Sequence, residues 1–170
     1  MDTSQLHNFM YNDHLIRKYF IGVFAADELP LGNLNLPCIL ISNTQISSQS
    51  GEHWVSIYVD INKKGYFFDS LGRSPDYYNH NLFCEFLDKH TISWEFNNTQ
   101  LQSLESSACG HYCLVFGYYI CRGYNFHKII QLFTRHKKLN DLYVLQFVQE
   151  KKVFSRIKVE GKLQSVISKK

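Results

Sequence analysis

No stretch of this 170-residue sequence runs apolar for the roughly 18 residues that a membrane span needs; charged or polar side chains interrupt every run. The opening, MDTSQLHNFMYNDHLIRKYF, lacks a basic region followed by an apolar one, so no secretory signal is expected and the thiols are expected to stay reduced. The five cysteines, Cys38, Cys84, Cys109, Cys113 and Cys121, are odd in number and lack CxxC spacing. That argues against both a disulfide framework and a zinc knuckle. Internal repeats and long low-complexity segments are also missing. What the chain does have is 45% hydrophobic and 19% charged residues, with a high aromatic share of 15%. Its length and composition suit one domain with a sizeable core.

The net charge of +3 is unevenly distributed. Residues 1–150 hold 11 Lys/Arg against 14 Asp/Glu, whereas residues 151–170 hold 7 Lys/Arg against Glu160 alone. Two parts are therefore expected: a domain over 1–150 and a basic extension over 151–170. The plain reading of that extension is a solvated tail. The functional one is contact with nucleic acid through Lys151, Lys152, Arg156 and Lys158.

LIRKYFIGVF opens the element order as a helix and ends in a loop punctuated by Pro30, Gly32 and Pro37. CILISNT and HWVSIYVDI read as buried strands, NKKG as a hairpin turn, and YFFDSLG as the partner strand. NHNLFCEFLDKH places Leu82, Phe83, Phe86 and Leu87 at helical spacing, and TISWEFNNT is a further strand. SSACGHYCLVFGYYICRG has the length of a buried helix, and NFHKIIQLF and LNDLYVLQFVQEK are two more. The last has Leu142, Leu145, Phe147 and Val148 available to bury. The pattern predicts an α+β fold: a small mixed β-sheet flanked by helices.

Three residues on this map could form a nucleophilic site. His53 opens one strand and Asp69 lies toward the end of the next, and an antiparallel hairpin brings such positions together. A carboxylate on one ring nitrogen would fix the tautomer and leave the other nitrogen for a nucleophile. Cys109 stands at the start of the buried helix, where the macrodipole and a neighbouring imidazolium both favour thiolate. Its amide is free for a developing oxyanion, Gly110 leaves room for a substrate backbone, and Gln100 and Gln102 supply side-chain amides from the preceding loop. Bland readings stand beside these: a structural histidine at a strand start, a turn-capping aspartate, and core thiols at Cys113 and Cys121. His111 reads as a rim or surface residue.

Taken in order, RKYFIGVFAADELP, CILISNT, SGEHWVSIYVD, GYFFDSLGRS and Q…SSACGHYCLVF resemble the adenovirus endopeptidase (adenain) family, a relative of the SUMO-deconjugating proteases. The likeness runs from about Tyr19 to Gly123. It implies Cys109 as nucleophile, His53 as general base and acid, Asp69 as the orienting acid, and Gln102 as the side-chain half of the oxyanion hole, with Gln100 as fallback. Trp54 then walls the site beside Gly110. It further implies peptide cleavage after small residues, commonly Gly, in capsid precursor proteins, within the virion or infected cell. No cofactor is required by this chemistry, although the family is stimulated by DNA or a short basic peptide. TISWEFNNT lacks the cysteine that would tether such a peptide. Residues 151–170 could replace it in cis, with VFSRIKV as an added strand on the sheet edge. The departures from the adenoviral enzymes imply another viral source, a virophage or a Polinton-type element. A monomer without membrane contact is expected. An isopeptidase of ubiquitin-like modifiers and a non-catalytic nucleic-acid-binding protein on the same fold are the alternatives.

Overall fold

The computed structural model describes residues 1–78 and 80–151. The C-terminal extension beyond Lys151 lies outside the described residues, and with it the expected edge strand and three of the proposed nucleic-acid contacts, Lys152, Arg156 and Lys158.

Five strands, β1 (Phe20–Phe24), β2 (Cys38–Asn43), β3 (Trp54–Val59), β4 (Lys64–Phe68) and β5 (Ser93–Phe96), form one sheet in sequential order. The outer pairs β1–β2 and β4–β5 are parallel, and the inner pairs β2–β3 and β3–β4 are antiparallel. The helices are α1 (Thr3–Asn12), α2 (Leu82–His90), α3 (Cys109–Ile120), α4 (Phe126–Ile130) and α5, helical over 137–151. The expected α+β class with a mixed sheet and a buried central helix is therefore the observed one.

Strand alternation explains how one sheet serves two cores. On one face, Ile39, Ile41 and Phe68 meet α1, α3, α4 and α5; on the other, Cys38, Leu40, Val55, Ile57, Val59 and Phe67 meet Phe83, Phe86 and Leu87 of α2. Helix α3 is buried almost all round, so its sequence is nearly continuous in apolar residues rather than amphipathic. Phe116 of α3 stacks on Phe68 with ring centroids 4.6 Å apart, which fixes the helix against the strand that precedes Asp69.

Four expectations are corrected. The segment LIRKYFIGVF is not a helix: Ile16–Lys18 form one 3₁₀ turn and Phe20–Phe24 form edge strand β1, paired in parallel with β2. The first helix lies earlier, where Asp2 caps Thr3–Asn12 and accepts from the Gln5 amide at 2.8 Å in a capping box. The β3–β4 turn is earlier than NKKG, because the Asp60 carboxylate collects the amides of Asn62 and Lys64 while Lys63 takes φ 61°. Gly65 lies within β4 instead, between Val59 and Trp94. Finally, α5 buries Asn140, Asp141, Val144 and Val148, while Leu142 is 62% and Leu145 42% exposed. Asn140 donates to the Leu101 carbonyl and Asp141 accepts from the Tyr112 hydroxyl, which holds the helix in that rotation and overrides the apolar pattern.

Candidate active site

The β3–β4 hairpin and the start of α3 bring His53, Asp69 and Cys109 together. Register pairs Ser56 with Phe68, so His53, just before β3, and Asp69, just after β4, meet at one end of the hairpin. His53 Nε2 lies 2.6 Å from Asp69 Oδ1, and both groups are buried. The other ring nitrogen is left for Cys109, whose thiol hydrogen-bonds His53. Backbone amides of Trp54 and Gly110 also donate to the sulfur.

This environment decides the charge state. Burial pushes the Cys109 thiol up, but the hydrogen bond and charge of His53, with the two amides, outweigh it and leave the thiol below its ordinary value. Burial also works against imidazolium at His53; the hydrogen bond it donates to Asp69, then that to Cys109, overcomes it and raises His53 to about 9. Both shifts favour a thiolate–imidazolium pair over a neutral thiol and imidazole. By contrast, burial raises Cys38 to about 11, Cys121 to about 12 and Cys113 still further. Cys109 is thus set apart electrostatically from the other core thiols.

Asp69 is held by five groups besides His53, the Gly72 amide among them, donating to its carbonyl at 2.8 Å. The Leu71 amide donates to Oδ1, and the Arg73 amide and Tyr78 hydroxyl donate to Oδ2, the hydroxyl at 2.7 Å. Asn97 grips the same residue's backbone, accepting from its amide at 2.8 Å and donating to its carbonyl at 2.6 Å. The carboxylate can present one face only.

Gln102 is 3% exposed on the loop before α3. Ser70 Oγ donates to its Oε1 at 2.7 Å, which fixes the amide's orientation, and its Nε2 donates to the Ser106 carbonyl at 2.5 Å. One N–H of the amide is then left for another acceptor. Gln100 lies one shell back, donating to the Gln102 carbonyl at 2.8 Å. The loop is also tied to α5: Asn140 and Tyr112 donate to the Leu101 carbonyl, and Asp141 accepts from the hydroxyls of Ser103 and Tyr112.

Trp54 borders a cleft of about 450 Å³, and its indole donates to the Met1 carbonyl at 3.1 Å. Gly110 does not open onto an approach for substrate. A Cβ there would stand 3.2 Å from Leu6, 3.3 Å from Met1 and 3.5 Å from Trp54, so the space is filled by the start of α1. His111 is half-buried on α3. Lys151 lies across the Tyr118 ring and donates to its hydroxyl at 3.0 Å, so its ammonium is committed to an aromatic pair. Among the described residues no cluster of three His, Cys, Asp or Glu could hold a metal ion, and no helix is long and apolar enough to cross a membrane.

Sequence reasoning missed Ser70, Tyr78, Asn97 and Asp141. Ser70 adjoins Asp69 and was open to suspicion on that ground. Tyr78, Asn97 and Asp141 reach the site across 9, 28 and 38 positions, to Asp69 in the first two cases and to Ser103 in the third, with no local pattern to mark them.

No family model matches the chain. A protein of Acanthamoeba polyphaga mimivirus, named "Putative thiol protease", is 30% identical over 142 residues, which cover 71% of this chain and 47% of that protein. The chain thus spans about half the length of this curated relative. Among solved structures, ChlaDub1 from Chlamydia trachomatis aligns over 90% of this chain and 77% of its own, with 15% identity and a TM-score of 0.51; the two share a fold. The protease of ASFV aligns over 65% of this chain and 45% of its own, with 20% identity and a TM-score of 0.47.

Proposed function

We propose that the chain is a cysteine peptidase in which Cys109 is the nucleophile, His53 the proton carrier and Asp69 the group that orients and charges His53. The observation that carries this reading is the chain Asp69–His53–Cys109, buried on one hairpin end and one helix start, with the thiol lowered and the imidazole raised. The mimivirus relative, by its name, supports the same chemistry.

The thiolate adds to the carbonyl carbon of the scissile bond, and the carbonyl oxygen takes up the negative charge. We assign its stabilisation to the Cys109 amide and to the remaining N–H of Gln102. His53 passes its proton to the leaving amine as the C–N bond breaks, giving a thioester. Neutral His53 then takes a proton from water, the resulting hydroxide displaces the thiol, and the carboxylic product leaves with the thiolate–imidazolium pair restored. Asp69 keeps its charge throughout and holds the ring in place.

Our finer reading is an adenain-type endopeptidase that cleaves viral precursor proteins after small residues, Gly above all, in the virion or infected cell. It rests on the order of motifs around His53, Asp69 and Cys109 and on the viral relative. A fluorogenic peptide with an internal Gly-containing site tests it against a substrate with an amine on the C-terminal Gly of a ubiquitin-like protein. Hydrolysis of the peptide that disappears in Cys109→Ala is the expected result. Turnover of the ubiquitin-like substrate alone would assign the site to an isopeptidase, and turnover unaffected by Cys109→Ala would overturn the mechanism.

A further inference from the structure

A second surface adjoins the loop that carries Gln102. A groove of about 650 Å³ runs between residues 103–105 and the start of α5. Arg135, His136, Lys137 and Lys138 line one side, and Leu104 and Leu139, 77% and 58% exposed, lie in it. Leu142, one helical turn beyond Leu139 and also exposed, extends the apolar strip.

The placement of these cations is costly to the fold itself. Lys137 and Lys138 lie in the first turn of α5 and Arg135 just before it, where the helix dipole disfavours positive charge. Among the described residues the one ion pair in the cluster is Lys138–Glu105 at 3.6 Å, between two side chains each 82% exposed. Exposed pairs of that kind contribute little. The body around them carries more acidic than basic residues, so the cluster is a local exception rather than part of a general field. A group of charges that breaks a local rule without a compensating contact points to something outside the chain.

We propose that this groove binds an acidic, leucine-bearing peptide segment of a protein substrate. Carboxylates of the segment meet Arg135, Lys137 and Lys138, and its apolar side chains cover Leu104, Leu139 and Leu142. The chain's own C-terminal extension is a poor occupant, because residues 151–170 carry the same sign of charge as the groove. The exposed leucines favour a peptide over nucleic acid, which would gain nothing from them. The groove also touches the candidate active site. Gln100, in its lining, holds the Gln102 carbonyl, and Ser103 is clamped by Asp141 of α5. A segment seated there lies beside the candidate active site, so it holds substrates that carry it without altering the chemical step.

The substrate assignment rests on the peptidase reading; the binding does not. Fluorescence anisotropy of a labelled peptide of Glu, Asp and Leu, with the full chain carrying Cys109→Ser, reads binding alone. R135E/K137E should weaken it about tenfold, L104S/L139S should weaken it severalfold, and K158E/K162E in the extension should change it less than twofold. In the Cys109 enzyme, appending the acidic segment to a cleavable peptide should lower KM without raising kcat, and R135E/K137E should remove that advantage. Binding lost through K158E/K162E but not R135E/K137E overturns the proposal. Binding indifferent to L104S/L139S and displaced by single-stranded DNA assigns the surface to nucleic acid and overturns it as well. Peptide binding without any hydrolysis would defeat the peptidase reading and leave the groove standing.

Discussion

Asp69→Asn should convert Cys109 from a standing thiolate into an ordinary thiol, and the size of that change follows from the hydrogen bonds around residue 69. The Oδ1 position receives Leu71 N–H and faces His53 Nε2, whereas the Oδ2 position receives the rotatable Tyr78 hydroxyl at 2.7 Å and the Arg73 amide only at 3.3 Å. An asparagine therefore settles with its oxygen toward His53 and its amide toward Tyr78, whose hydroxyl can turn to accept. The tautomer of His53 is preserved and only the negative charge is lost. Without that charge, burial dominates His53, imidazolium becomes rare at neutral pH, and Cys109 returns toward its ordinary value of 9.0. At pH 7 such a thiol is ionised about one part in a hundred, equivalent to about 2.7 kcal/mol and in the range of one buried charge-assisted hydrogen bond. Iodoacetamide alkylation of Cys109, followed by mass spectrometry from pH 5 to 10, reads this directly. The wild-type rate should be nearly flat across neutral pH. The variant should be about a hundredfold slower at pH 7 and should converge with wild type above pH 9. Superimposed curves, or a wild-type step at pH 9, would refute the thiolate–imidazolium assignment.

Peptidase activity should hold while His53 is protonated and fall as pH rises through about 9, because the leaving amine then lacks its proton donor. Ser70→Ala removes the 2.7 Å bond that orients Gln102 and should lower kcat about tenfold with KM little changed, Thr restoring part of it; an unchanged kcat would remove Gln102 orientation from the mechanism. Asn97→Ala leaves the buried Asp69 amide without its acceptor, the carbonyl keeping the Gly72 amide, and should cost about 2 kcal/mol in urea denaturation. Gly72 takes φ +70°, and a Cβ there would lie 2.5 Å from the Thr99 backbone; Gly72→Ala should destabilise by at least ~2 kcal/mol, and a neutral result would show the loop to be more yielding than its contacts imply.

The catalytic candidates were legible because each depends on short-range order. A hairpin of two apolar strands fixes the relation of His53 to Asp69 whatever the rest of the chain does. A cysteine opening a long apolar run is at a helix start by the same logic. Strand β1 escaped notice because its pairing is parallel and so rests on a partner some twenty residues away, while its own residues, with Gly22 among them, suit a helix end equally well. The face of α5 was misread for a different reason. Leu142 and Leu145 outweigh Asn140 and Asp141 in any hydrophobic pattern, yet the two polar residues bind the Leu101 carbonyl and the hydroxyls of Ser103 and Tyr112. Periodicity ranks side chains by their transfer from water and takes no account of the loop they must anchor.

That loop explains why the buried polar residues lie where they do. Asp69 and Ser70 are neighbours in sequence, and one orients His53 while the other orients Gln102. The two sides of the scissile bond, proton transfer and oxyanion stabilisation, are thus referred to a single dipeptide at the end of β4. The Ser70 carbonyl also accepts the amides of Leu101 and Gln102, at 2.8 and 3.0 Å, so loop and strand end move as one body. Asn97 binds that body from β5's side and Asp141 binds the loop from α5, which leaves few independent ways for Gln102 to drift relative to His53. Variants of Ser70 and Asn97 should accordingly be strongly non-additive in kcat, because either one alone already releases the shared constraint. Additive losses in the double variant would mean that acid and oxyanion donor are positioned separately.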